Sequence, residues 1–135
     1  ILTETGSFLT QIKAGKYSLI ADEPKEIGGG DLGLTPYDLL SSALGACTTM
    51  TLQMYASRKK WDLKEAKVHI NHNKSYVQDC ESCEKSDAKI DHFERELELI
   101  GDLSQEQKDR LLQIADKCPV HKTLHSDVKV ITKLK

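Results

Sequence analysis

The sequence predicts an α+β domain, and three observations carry that prediction. Period-two stretches stand at residues 7–22, 66–77, 89–101 and 127–134. Two helical stretches with clear start signals lie among them, at 35–59 and 104–117. The resulting order, ββ-α-ββ-α-β, builds antiparallel sheet around one central helix.

The first element is "SFLTQIKAGKYSLIAD" (7–22), which alternates about Ala14-Gly15 and reads as a β-hairpin. "EPKEIGGGDLGLT" (23–35) is a Gly-rich loop between a strand and a helix, the place where a phosphate cradle is considered. It carries no GK[ST] and does not fit GxGxxG, so a plain connection is the better reading. Thr35-Pro36-Tyr37-Asp38 is a helix start. Thr35 suits the N-cap, Pro36 the first helical position, and Asp38 stands three residues after the cap. A helix from there to Arg58 or Lys59 is about 35 Å long. It is apolar or small all round, the pattern of a buried helix. Ser41, Ser42, Ala43, Gly45 and Ala46 let another segment approach its first half closely.

"AKVHINHNKSYV" (66–77) reads as a strand with Val68, Ile70 and His72 on one face. "QDCESCEKSD" (78–87) is a polar loop. "KIDHFERELELIG" (89–101) is a long strand with Phe93, Arg95, Leu97 and Leu99 on one side and His92, Glu94, Glu96 and Glu98 on the wet side. "SQEQKDRLLQIADK" (104–117) is an amphipathic helix capped by Ser104 with Gln107 three residues on. "DVKVITKL" (127–134) is expected to close the sheet as a strand.

A chain of 135 residues suits one domain, 1–135, with one modest core. Nineteen basic against twenty-one acidic residues give a net charge of −2 without a basic block, which argues against a nucleic-acid partner. The most apolar run carries Ser, Thr and Gln every few residues and is too polar to span a membrane. Nothing resembles a signal peptide, so a cytoplasmic, reducing setting is expected. There, cysteines are more often redox-active, metal-binding or catalytic than paired in structural disulfides.

Of the four cysteines, Cys47 lies within the long helix, where it reads either as core filler or as a nucleophile. Cys118 ends the second helix, on one stripe with Leu111, Ile114 and Ala115, so it also points to the core. Pro119 then starts a short turn over 119–124 with Cys118 at its cap. A thiol there, beside Lys117, His121 and Lys122, is expected to favour its thiolate. Two core-facing cysteines on elements that pack together suggest a dithiol. Cys80-x-x-Cys83 is a lone CxxC, read as loop thiols, a redox pair or half a metal site. His69, His72 and His92 would complete a metal site, with His72 and His92 facing each other across the strands.

"GGGDLGLTPYDLLSSALGACTTMTLQMYASRK", "DCESCE" and "LLQIADKCPVHKTL" together resemble the OsmC/Ohr family of thiol-dependent hydroperoxide reductases. The likeness covers nearly the whole chain. It is greatest for the branch with an extra CxxC, some members of which follow an α/β-hydrolase in a longer chain; a first residue of Ile1 fits such an excised domain. The resemblance implies an OsmC-like fold, an intertwined homodimer with sites at the subunit interface, and oxidative-stress defence by reduction of organic hydroperoxides in an apolar pocket. It implies Cys47 as the peroxidatic cysteine, Cys118 as the resolving one, and Asp38 as the acidic residue ahead of Cys47. No cofactor is expected beyond an external dithiol reductant. Asp38 reads equally well as a helix cap. The family's arginine has no counterpart, because no Arg precedes Arg58; Lys13, Lys16 and Lys25 are the upstream cations, and Lys lacks the guanidinium fork. Rival readings are a non-enzymatic domain of this fold binding a small apolar ligand or a partner, and a CxxC metal-binding module.

Overall fold

The computed structural model describes residues 1–3, 6–76 and 89–135. They form two compact units, Ile1–Ser42 and Ala43–Lys135.

The first unit holds an antiparallel sheet in the order β1-β2-β3: β1 (Leu2–Thr3), β2 (Thr10–Ala14) and β3 (Tyr17–Ala21). The expected hairpin is β2–β3, closed at the pair Ala14–Tyr17. Gly15 takes φ +61° in the two-residue loop, where the twist of the strands calls for a positive φ. The short β1, which has no clear sequence signal, adds to the edge of β2. A 3-10 turn at Lys25–Ile27 leads into the Gly-rich loop. That loop closes on an internal anion. Asp22 is buried, and its carboxylate accepts from the backbone N–H groups of Glu23 (2.8 Å), Gly30 (3.0 Å) and Leu32 (3.2 Å). Three donors satisfy a buried carboxylate, which would otherwise be costly. The donors a phosphate would need are thus occupied from within.

Helix α1 (Pro36–Lys59) begins as its sequence predicts. The Asp38 carboxylate accepts from Thr35 N–H (3.0 Å) and Thr35 Oγ1 (2.7 Å), and Asp38 N–H donates to Thr35 Oγ1 at 3.2 Å. Its far end is a Schellman cap. Lys60 N–H reaches Ser57 O and Trp61 N–H reaches Ala56 O, with Lys60 at φ +56° where glycine is usual.

In the second unit, β4 (Asp62–Tyr76) and β5 (Lys89–Asp102) form a two-stranded antiparallel ribbon. β4 starts four residues before the expected 66. A bulge between Leu63 and Glu65 absorbs the register shift, opposite Gly101 at φ +150°. The core joins one stripe of α1 to α2 (Gln105–Ala115) and the ribbon: Leu52, Ala56, Leu63, Leu111, Ile114 and Ala115, flanked by Trp61, Leu97 and Leu99. Burial of each large aliphatic side chain stabilises the unit by about 1.5–3 kcal/mol. α2 carries the predicted capping box, with Ser104 Oγ accepting from Gln107 N–H and Gln107 Oε1 accepting from Ser104 N–H. α3 (Pro119–Leu124) follows with Cys118 as its N-cap.

Three expectations are corrected here. The stretch 127–134 forms no strand; it is irregular, and Val128, Val130, Ile131 and Leu134 are exposed. A strand needs an edge to pair with, and among the described residues none pairs with this stretch. Helix α1 is not buried on every side within one chain. Its buried residues are Leu44, Thr48, Leu52 and Ala56, spaced by four along one face, while Met50 and Met54 are 64% and 65% exposed. Finally, His72 and His92 do not face each other. His72 pairs with Phe93 and His92 with Asn73, so the pleat puts the two histidines on opposite faces of the ribbon.

Candidate active site

Cys47 and Thr48 are neighbours on α1, and each inherits a different environment from the helix's 100° step. Thr48 falls on the buried stripe and is fully buried. Cys47 is half-buried. Cys118 is delivered by the other route, the end of α2. It completes the stripe begun by Leu111, Ile114 and Ala115, and like Leu111 it is fully buried. Both thiols are free.

Cys118 Sγ lies 3.7 Å from Thr48 Oγ1, across 70 positions of chain. The sulfur also accepts the His121 backbone N–H at 3.3 Å, which makes it a working cap for α3. The sequence-predicted meeting of the second helix's cysteine with the long helix is therefore realised next door to Cys47, at Thr48.

Sequence reasoning missed the group that organises this cluster. Arg95, from the middle of β5, sends Nη1 to Thr48 Oγ1 (2.9 Å) and to Ala115 O (3.2 Å). Its Nη2 pairs with Asp116 Oδ1 at 2.8 Å and lies 3.5 Å from His121 Nδ1. The Arg95 side chain is only 11% exposed. The signal was present in the sequence: Arg95 is in phase with Phe93, Leu97 and Leu99, a charge on the inward face of a strand. A search upstream of Cys47 could not find it.

His121 stacks on His125 with ring centroids 4.2 Å apart. Burial pushes the His121 pKa below its ordinary value. The nearby His125 and Arg95 act the same way, while Asp116 opposes them. His121 thus resists protonation, and in its neutral form its Nδ1 can accept from Arg95.

Asp38 is exposed at the start of α1, with its carboxylate engaged in the cap. Cys80 and Cys83 lie outside the described residues. Among the described residues no group of His, Cys, Asp and Glu is arranged to hold a metal ion. His72 instead pairs with Asp91 at 2.8 Å and packs on Phe93. A cavity of about 550 Å³ is lined by Tyr55, Lys59, Trp61, Gln107 and Arg110 among others. Neither thiol lines it, so it is not the thiol-bearing apolar pocket that the resemblance implies. Among the described residues no helix is long and apolar enough to cross a membrane.

The long helix, the two antiparallel sheets and the shorter helices make up the fold of the OsmC-like proteins. The family model described as OsmC-like protein matches residues 28–133, and the chain belongs to that family. No curated protein matches it in sequence. Solved structures share the fold at low identity. An OsmC-like protein from Mycoplasma pneumoniae superposes with a TM-score of 0.69 at 18% identity, over 87% of this chain and 79% of that one. The organic hydroperoxide resistance protein OhrB of Bacillus subtilis gives 0.56 at 20% identity, over 94% and 96%. An organic hydroperoxide resistance protein OsmC from Legionella pneumophila gives 0.59 at 18%, over 85% and 88%.

Proposed function

We propose that the chain serves in peroxide defence by reducing organic hydroperoxides with a pair of cysteines. The observation that carries this reading is the contact of buried Cys118 with Thr48, the residue after Cys47. The names of the structural neighbours OhrB and the Legionella protein, both organic hydroperoxide resistance proteins, support the substrate class.

The chemistry balances as follows. The Cys47 thiolate attacks the outer oxygen of ROOH; the O–O bond breaks, giving Cys47–SOH and an alkoxide that takes a proton to leave as ROH. The Cys118 sulfur then attacks the Cys47 sulfenic sulfur. The S–S bond forms, the S–O bond breaks, and the departing hydroxide leaves with the Cys118 proton as water. An external dithiol reduces the disulfide by exchange. A homodimer belongs to this reading. The exposed Met50 and Met54 on α1 and the unpaired apolar tail Val128, Val130, Ile131 and Leu134 are surfaces a second copy would cover.

One equivalent of cumene hydroperoxide tests the reading. Loss of two thiols, with Cys47 and Cys118 recovered in one disulfide-linked peptide, is expected. Peroxide consumed while Cys47 remains fully alkylatable would overturn it.

A further inference from the structure

The hydrogen atoms around Thr48 can be counted. A hydroxyl has one proton and two acceptor lone pairs. Thr48 Oγ1 lies 2.7 Å from the carbonyl of Leu44, which can only accept, so the hydroxyl proton goes there. Arg95 Nη1 can only donate, and it takes one lone pair at 2.9 Å. The remaining neighbour is Cys118 Sγ at 3.7 Å. With its proton committed, Thr48 can meet Cys118 only as acceptor, so Cys118 S–H is the donor. The same sulfur already accepts from His121 N–H at 3.3 Å. In this arrangement the Cys118 sulfur, which has no exposure to solvent, is satisfied both as donor to Thr48 and as acceptor from His121.

Disulfide closure changes the count. As the Cys118 proton leaves with the hydroxide of the Cys47 sulfenic acid as water, the sulfur has no proton to give, and the contact survives only if the Thr48 hydroxyl turns from Leu44 O to the sulfur. Leu44 O belongs to the buried stripe of α1 and keeps its place in the helix, so the turn costs one intrahelical side-chain bond. Arg95 stays on the Thr48 oxygen in both states and polarises its O–H towards the sulfur. Its own position is fixed from the other side by Ala115 O and Asp116.

We propose that Thr48 and Arg95 are positioning residues for Cys118: a hydroxyl that turns from acceptor to donor, backed by a guanidinium, and that thereby governs closure of the disulfide. This rests on the function proposed above for the Cys47 sulfenate step, but the resting half of it does not depend on peroxide.

Two measurements test it separately. The first is the S–H stretching band of reduced protein by Raman spectroscopy, with the Cys118 band isolated by subtracting Cys118→Ser in the same background. Thr48→Val should move that band to higher frequency, because the acceptor is lost; Thr48→Ser should leave it in place. An unmoved band in folded Thr48→Val protein overturns the proposal. The second is a single turnover with hydroperoxide, followed by quench and peptide mapping. In Thr48→Val and Arg95→Gln, disulfide closure should slow about tenfold relative to first peroxide consumption, the size of one hydrogen bond to a charged group. Thr48→Ser should restore the ratio. A merely structural loss would lower both steps together, and an unchanged ratio overturns the proposal even if the band shifts. If wild-type protein consumes no peroxide, the proposed function falls, and the relay then stands or falls on the band alone.

Discussion

Arg95 Nη1 and Thr48 Oγ1 stand 2.9 Å apart although 47 positions separate them in the chain. This bond ties the inner face of the β4–β5 ribbon to the buried stripe of α1, and the other guanidinium nitrogen ties both to the end of α2. Its removal should be felt as a stability change before any change in chemistry. Arg95→Met leaves a buried hydroxyl and the Ala115 carbonyl short of a donor, at a cost of about 1–3 kcal/mol. Asp116→Ala should cost under about 1 kcal/mol, because that carboxylate is mostly exposed and screened. Urea denaturation of the two variants measures the difference. Equal losses would mean that the salt bridge, not the hydroxyl and carbonyl contacts, holds Arg95.

Acidification should loosen the same corner. His121 has a folded-state pKa below the 6.5 of the unfolded chain, held down chiefly by burial and then by His125. Below about pH 6.5 the unfolded state takes up a proton that the folded state resists, so stability falls as pH falls. Above that pH both forms are neutral and the effect vanishes. His121→Gln should flatten the stability profile between pH 7 and 5. A profile that stays equally steep would assign the acid sensitivity elsewhere.

Cys118→Ser should separate the two chemical steps of the proposed cycle. One peroxide equivalent should still be consumed, and further peroxide should then drive Cys47 to sulfinic acid, since nothing captures the sulfenate. Intact mass after successive equivalents follows this directly. A disulfide formed by Cys47 in this variant, with one further thiol lost, would point to a different resolving thiol, with Cys80 and Cys83 the remaining choices.

Asp38 offers a test of subunit sharing. Its cap role predicts a loss of about 1 kcal/mol in Asp38→Ala, read by thermal or urea unfolding. Asp38 precedes Cys47 by nine residues on α1, which is 900° of rotation and about 13 Å of rise. It points away from the thiol of its own helix. If Asp38 has a chemical role it acts on a partner's Cys47, and mixing Cys47→Ser with Asp38→Ala chains should regenerate activity through heterodimers holding one intact site. Failure to regenerate after proven exchange removes the shared-site assignment. Full activity of Asp38→Ala with lower stability leaves it a cap alone.

What the sequence determined by itself was everything governed by local periodicity and capping. The capping box at Ser104 and Gln107, the Thr35–Asp38 helix start, the hairpin at Gly15, and Cys118 at the cap of 119–124 all depend on residues within a few positions of one another. The inward stripe of Leu111, Ile114, Ala115 and Cys118 was legible for the same reason. Tertiary structure decided what depends on partners distant in the chain. The register of β4 on β5 separated His72 from His92, because a shift of one residue exchanges the faces of a strand. The alternation at 127–134 promised a strand but has no pairing edge among the described residues, and periodicity cannot supply one. Asp22 filled the Gly-rich loop from within. Above all, only packing brings Arg95 to Thr48 and Thr48 to Cys118. The sequence shows a charge in an apolar stripe, but which buried hydroxyl and carbonyl it satisfies is set by where the ribbon crosses the helix.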